Sequence, residues 1–541
     1  MAKFVFKRDQ IIGYAPAEQD QYFLDQCFVD TGALNILCDC NDQRRLLVGR
    51  AGAGKSALIA QLEKEKENVI ILRPESLALT YISNSNVIKF FLEAGVKLDI
   101  FYRLLWRHIF VVEILKSHFR IENEEKKKTF LEKLWAVTPK KKRHEQALEY
   151  LKNWGGSFWE ETEYRIQEVT STLEKQLKGA VEGKVQGLVG LSASAAKTLT
   201  EEQKSEVVSR AQEVVNKVQI RELSDIIDFL ADVLMQDSKK EYFIAIDKLD
   251  EDWVEESLRF RLIRALIETS LDFARIKNVK IIIALRNDLI DRVFRYTRDA
   301  GFQEEKYRTS MFQLSWSKQE LTQILDTRIG VLVREKYTKS TVSHQDLLPS
   351  KVGNQNTLDY ILARTHMRPR DVIQFFNTCI IHADGKTNIT QKILKDAEGV
   401  YSRERLRALA DEWYGVYPNL MQLSRLLRGR KEAFKLVEIS LSEFENNYLE
   451  LLISGQAVDG LDKSYMDLFL DGGIDAEDYR RNIVHIFYKT GLIGLKTDET
   501  MIYSWSDNVV GGISKSEIDE NTKIRVHPAY WRTFGTIGHT P

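Results

Sequence analysis

Short apolar runs alternate with longer amphipathic stretches along this chain, and that alternation predicts a parallel α/β sheet. Arg44-Arg45-Leu46-Leu47-Val48 reads as a short buried strand, and Asn68-Val69-Ile70-Ile71-Leu72-Arg73 as a second. Glu241-Tyr242-Phe243-Ile244-Ala245-Ile246-Asp247 and Asn278 to Leu285 are apolar without alternation, the pattern of strands covered on both faces. Met311-Phe312-Gln313-Leu314 predicts a fifth strand. Helical periodicity fills the intervals, in Ala57 to Lys64, Asp225 to Leu234 and Glu256 to Ile276. Leu98 to Leu115 is apolar nearly all round and predicts a helix buried against the sheet, where Arg103 and Arg107 would form salt bridges or, alternatively, face nucleotide or a neighbouring subunit.

The character changes after residue 121. Glu160 to Lys178 reads as a polar helix, Gly179 to Gly190 is rich in small residues, and Glu201 to Ile220 is heptad-like, with Val207, Ala211, Val214, Val215 and Val218 on one side. Residues 122–220 are therefore expected to form an insertion, a helical hairpin or coiled-coil arm projecting from the core. Its basic runs, Lys126-Lys127-Lys128 and Pro139 to His144, read as solvated faces, with nucleic-acid binding as the alternative. Farther on, Leu358 to Gly399 and Phe434 to Leu452 read as helical. Ala476 to Lys496 reads as helix, glycine stop and strand, and two more strands are predicted at Met501 to Trp505 and Lys523 to Trp531. The segments are then 1–121 and 221–335 as two parts of a sheet core, 122–220 as insertion, 336–433 as a helical lid, and 434–541 as a winged-helix-like α+β domain.

The first predicted strand runs into Gly49-Arg50-Ala51-Gly52-Ala53-Gly54-Lys55-Ser56, which fits G-x-x-x-x-G-K-[ST] at every fixed position. Strand, glycine-rich turn and helix is the context in which this P-loop pattern binds phosphate. Glycines let the backbone approach the anion, and successive N–H groups and the helix N-terminus offer it partial positive charge. Lys55 is the residue to reach the β- and γ-phosphates, and the Ser56 hydroxyl to ligate Mg²⁺. Asp247, at the tip of a buried strand, suits the partner carboxylate for that metal.

A hydrolytic site also needs a carboxylate to orient or deprotonate water. The position after Asp247 is Lys248, not the commoner Glu, which leaves Asp250 and Glu251 as the candidate bases and predicts slow turnover. Arg286 or Asn287, at the tip of the next strand, would face the γ-phosphate. Arg368-Pro369-Arg370-Asp371 opens a helix and resembles the sensor 2 region of AAA+ lid domains, a resemblance that implies Arg368 or Arg370 as the arginine to fold back over the phosphates.

Composition sets limits on this picture. The 541 residues exceed one core and imply two to four domains. Lys+Arg 78 against Asp+Glu 79 gives a formal charge of −1, so a nucleic-acid site would have to be a local patch. Residues 400–434 and the cations Arg480, Arg481, Lys489, Lys496 and Arg525 supply such patches. The four cysteines match no zinc spacing and no disulfide framework, and Cys38 and Cys40 read as buried thiols. Early charges disfavour a signal peptide, and no apolar run approaches the ~20 residues of a membrane helix, so the cytoplasm, with no membrane partner, is the expected setting.

With these pieces placed, the chain resembles bacterial P-loop ATPases of the AAA+/STAND grouping, in the initiator-like arrangement of ATPase core, helical lid and winged helix. Gly49–Ser56, Ile244–Asp247, Leu285–Asn287 and Arg368–Asp371 carry that likeness. Phe101 to His108, Ile246 to Trp253 and Val526-His527-Pro528-Ala529 extend it over most of the chain. The resemblance implies ATP and Mg²⁺ as cofactors, and relatives in replication initiation, signalling and anti-phage defence. Two functions are expected from it. One is a homo-oligomeric ATP-driven switch or scaffold that controls a protein effector in defence. The other is a DNA-binding initiator or loader acting through the C-terminal domain.

Overall fold

Five parallel strands form the larger sheet of the structure, a computed structural model that describes residues 4–77, 79–120, 162–182, 190–235, 240–298, 305–334, 342–453, 476–506 and 512–537. The strands are β1 (Leu46–Val48), β2 (Val69–Leu72), β3 (Tyr242–Ile246), β4 (Val279–Leu285) and β5 (Met311–Gln313), in the spatial order β2-β3-β4-β1-β5. Leu46 pairs with Ile283 on one side and Met311 on the other, and Ile244 pairs with both Ile70 and Ile281. Every residue of β1, β3 and β4 is buried, as their unbroken apolar runs require. Side chains such as Ile244 and Ile283 each contribute about 1.5–3 kcal/mol by leaving water. Parallel neighbours need crossovers, so all five strands end at the same edge, where Gly49, Asp247 and Arg286 follow directly.

The chain divides into two units, residues 30–50 with 55–314, and residues 1–29 with 51–54 and 315–541. The first is the sheet unit. The Asp99–Phe119 helix is buried in it as expected, with Trp106 Nε1 donating to the Leu262 carbonyl at 2.9 Å and both Arg103 and Arg107 paired with Asp272. Buried in β4, Lys280 donates from Nζ to the carbonyls of Ile36, Asp39 and Asp42. Burial pushes its pKa down to about 8.

The insertion expectation needs correction. The Thr162–Glu182 and Glu201–Met235 helices are present, but they do not project. Ile166, Val169, Leu173, Leu177, Val207, Ala211 and Val215 are buried in the same apolar cluster as the Asp99–Phe119 helix and the sheet. Their apolar stripes are therefore a core face, not a free coiled-coil seam. The basic runs at 126–128 and 139–144 lie outside the described residues.

The second unit is mainly helical. Its helices include Lys318–Arg334, Thr357–Ala363, Pro369–His382 and Gln391–Glu412. Phe6 and Ile12 are buried among them, and Arg328 forms a buried ion pair with Asp20 at 2.6 Å. Residues 1–29 and 315–334 thus group here, not with the sheet as the sequence reading placed them. A two-residue ribbon pairs β6 (Lys351–Val352) with β7 (Gln355–Asn356). Toward the C-terminus, β8 (Ala433–Lys435), β9 (Ile493–Lys496) and β10 (Lys523–Val526) form an antiparallel sheet in the order β8-β10-β9, beside the Ala476–Thr490 helix. Phe434, expected to open a helix, instead pairs with Ile524 in this sheet, and the helix is Leu441–Ile453. The expected strand at 501–505 is reduced to one bridge, Leu495 with Ser504. The His527 ring stacks on His366 at 4.1 Å, with the Tyr530 hydroxyl 2.7 Å from His366 Nε2. No helix among the described residues is long and apolar enough to cross a membrane.

Candidate functional site

The glycine-rich segment leaves β1 where Gly49 N–H donates to the Leu285 carbonyl at 3.1 Å. Gly52 and Gly54 have φ of +77° and +101°, a region that residues with a Cβ rarely adopt. A Cβ on Gly52 would also meet the Arg370 side chain at 2.8 Å. The Lys55–Glu65 helix follows at once.

Each carbonyl from Gly49 to Ala53 is engaged by a donor. In the sheet unit, Lys55 Nζ donates to Gly49 and Arg50 at 2.9 and 3.0 Å. In the helical unit, Arg368 Nη1 donates to Ala51 at 2.7 Å, the Arg370 backbone N–H reaches Gly52 at 3.5 Å, and Trp316 Nε1 donates to Ala53 at 2.7 Å. A trans peptide carries its C=O and the next N–H on opposite sides. The N–H groups of Gly52, Ala53 and Gly54 therefore lie on the side of each peptide plane opposite those donors.

At the strand tips of the sheet unit, Ser56 Oγ donates to Asp247 Oδ2 at 2.6 Å, and Lys248 N–H donates to Asp247 Oδ1 at 2.9 Å. Lys248 sits at φ +62°, an uncommon conformation for a residue with a side chain. It turns the chain so that Leu249 is buried and Asp250 and Glu251 are exposed. Arg286 bridges two carboxylates, Asp288 at 2.9 Å and Asp250 at 3.2 Å. Asn287 opens the Asn287–Tyr296 helix and accepts from Gln313 at 3.4 Å. A hydrogen bond shared with Glu75, aided by burial, pushes the Glu251 carboxyl up to about 7, against the pull of Lys248 Nζ at 3.9 Å.

In the helical unit, Arg368 precedes the Pro369–His382 helix at its N-cap position and is 3% exposed. Its Nε donates to Asp371 at 3.0 Å, and Arg405 approaches the other Asp371 oxygen at 3.6 Å while donating to Glu412 at 3.3 Å. Burial would raise the Asp371 pKa, yet Arg368 and Arg405, with the His366 N–H, hold it down at about 2. Arg370 is half-buried against Gly52, and its guanidinium has no hydrogen-bond or ion-pair partner among the described residues.

The structure therefore brings Lys55, Ser56 and Asp247 together, and Asp250 with Arg286. It separates the roles of the two candidate arginines: Arg368 is committed to protein groups, and Arg370 is not. Sequence reasoning missed Trp316, Glu75 and Glu412, whose side chains enter through contacts that no local pattern announces.

The family described as FunZ-associated C-terminal helical domain matches residues 319–410, a stretch that holds Arg368, Asp371 and Arg405. The chain is also 23% identical over 529 residues to an 80.3 kDa protein of Escherichia coli (strain K12) named for transposon gamma-delta. That alignment takes in 96% of this chain and 66% of the relative, so the chain spans slightly less than two thirds of that protein's length.

Proposed function

We propose that this chain binds ATP with Mg²⁺ at Gly49–Ser56 and hydrolyses it slowly, as an oligomeric switch or scaffold that controls a protein effector, with anti-phage defence as its setting. One observation carries the nucleotide reading: protein donors occupy the carbonyls of Gly49 to Ala53, which leaves the N–H groups of Gly52, Ala53 and Gly54, on the other side of their peptide planes, to serve a phosphate. The order β2-β3-β4-β1-β5, with the glycine-rich segment and Asp247 at one edge of a parallel sheet, supports it.

The residues suit their roles. Lys55 exchanges its hold on Gly49 and Arg50 for the β- and γ-phosphates. Ser56 and Asp247, already hydrogen-bonded, would hold Mg²⁺, which suits a cation that needs few protein ligands when phosphates and water supply the rest. A Mg²⁺ held there would supply charge neutralisation at the phosphate oxygens. Within the helical unit, Arg370 beside Gly52 offers an arginine to pair with phosphate. Within the sheet unit, Glu251 or Asp250 would orient the attacking water. Arg286 steadies Asp250. The absence of a carboxylate directly after Asp247 supports slow turnover and hence a timing role.

The DNA-binding reading has less support. Arg480 is 6% exposed and donates to the Leu436 carbonyl, Arg481 pairs with Glu477, Lys523 with Glu499 and Arg525 with Glu432. Those acids would have to yield before a DNA phosphate could take their place. The deciding experiment is titration of the purified chain with ATP and Mg²⁺, followed by sizing with and without nucleotide. Saturable binding that Lys55→Ala abolishes, with ATP-dependent assembly, is expected. Retained binding by Lys55→Ala would falsify the site, and salt-sensitive DNA binding without assembly would favour the loader reading.

A further inference from the structure

Two residues distant in sequence grip the glycine-rich segment. Arg368, 317 positions from Ala51, and Trp316, 263 positions from Ala53, each donate to that residue's carbonyl at 2.7 Å. The peptide planes so held are the ones that carry the N–H groups of Gly52 and Gly54. Both glycines sit at positive φ, where a chain without Cβ atoms has many alternative conformations to lose on binding. Trp316 adds a wall: a Cβ on Gly54 would lie 3.5 Å from its Cζ2. Arg368 is itself fixed by Asp371, so its grip is rigid.

We propose that Trp316 and Arg368 are positioning residues that pre-set the N–H groups of Gly52 and Gly54 for phosphate, and that this is why the buried Arg368–Asp371–Arg405–Glu412 network exists. The proposal rests on the nucleotide-binding reading above. Arg368 acts here on a backbone carbonyl, and Arg370 is left to meet the ligand.

The test uses the full chain with a fluorescent ATP analogue and Mg²⁺. Trp316→Phe keeps an aromatic ring and removes the indole donor. Arg368→Lys keeps the charge beside Asp371 and removes the guanidinium fork. Each is expected to weaken binding about 3- to 10-fold, the worth of one lost hydrogen bond, while the unliganded chain still unfolds in one cooperative transition at a modestly lower temperature. Hydrogen exchange supplies the second readout: backbone amides of residues 51–54 exchange faster in either variant before nucleotide is added, while peptides of β3 and β4 do not. Wild-type affinity and unchanged exchange at 51–54 in both variants overturn the positioning role while wild-type binding stands. A wild-type chain that binds no ATP overturns the nucleotide reading, and this proposal with it.

Discussion

Ser56 Oγ and Asp247 Oδ2 lie 2.6 Å apart although 191 positions separate them in the chain. β1 and β3 bring them there, each delivering its last residue to the same sheet edge with only β4 between them. Asp247→Asn keeps the shape and removes the charge. It is expected to weaken Mg²⁺-dependent ATP binding about 10- to 100-fold, with little change in Mg²⁺-free binding. Calorimetric titration with and without Mg²⁺ checks this, and equal losses in both conditions would refute the metal role.

Arg370 carries a guanidinium with no partner among the described residues. Arg370→Ala should therefore leave the melting temperature of the free protein unaltered. Loss of a charge-assisted hydrogen bond, about 1.5–3 kcal/mol, predicts ATP binding weaker by about 10- to 150-fold. The same substitution at Arg368 should instead lower stability, because it strips a buried carboxylate of a partner.

Glu251 shares a hydrogen bond with Glu75 that lifts its pKa to about 7. A base must be ionised to act, so hydrolysis carried by Glu251 rises with pH through about 7. Glu75→Gln removes the neighbouring charge and moves the inflection to lower pH, while Glu251→Gln abolishes it. A pH–rate profile of the three proteins decides the point, and a flat wild-type profile between about pH 6 and 8 assigns the base to Asp250.

Asp371 is fully buried, and its folded pKa is depressed from 3.8 to about 2. The sign follows from linkage: the unfolded chain takes up the proton first as pH falls. The stability Asp371 contributes is present above about pH 4 and is lost as pH falls toward about 2. Asp371→Asn is expected to cost about 3–5 kcal/mol at neutral pH, because Arg368 and Arg405 are left without their shared carboxylate. Denaturant unfolding near pH 7 and pH 3 measures both effects, and the gap between wild type and variant should narrow at the lower pH.

Much of the sheet and half of the candidate site could be read from local pattern. The apolar runs of β3 and β4, the glycine spacing around Lys55 and the carboxylate at Asp247 are encoded within a few residues of where they act. Hydrophobic period and backbone sterics are short-range properties, so those elements stand within a residue or two of their predicted bounds. The helix opened by Arg368 and Pro369 was readable for the same reason.

What the tertiary structure decided is partnership. The stripe on Val207, Ala211 and Val215 looks the same whether it faces another copy or this chain's own core, and only packing against the Asp99–Phe119 helix made it core. Arg368 and Arg370 are near neighbours of one chemical type, yet Asp371 and Ala51 engage one and leave the other unpaired. Arg480 and Arg525 read as a basic patch until Glu520 and Glu432 were folded against them. Periodicity tells which face of an element is buried, since burial follows from the spacing of apolar atoms along one segment. It does not tell what lies opposite, because the partner comes from a distant part of the chain and is chosen by the fit of the whole fold.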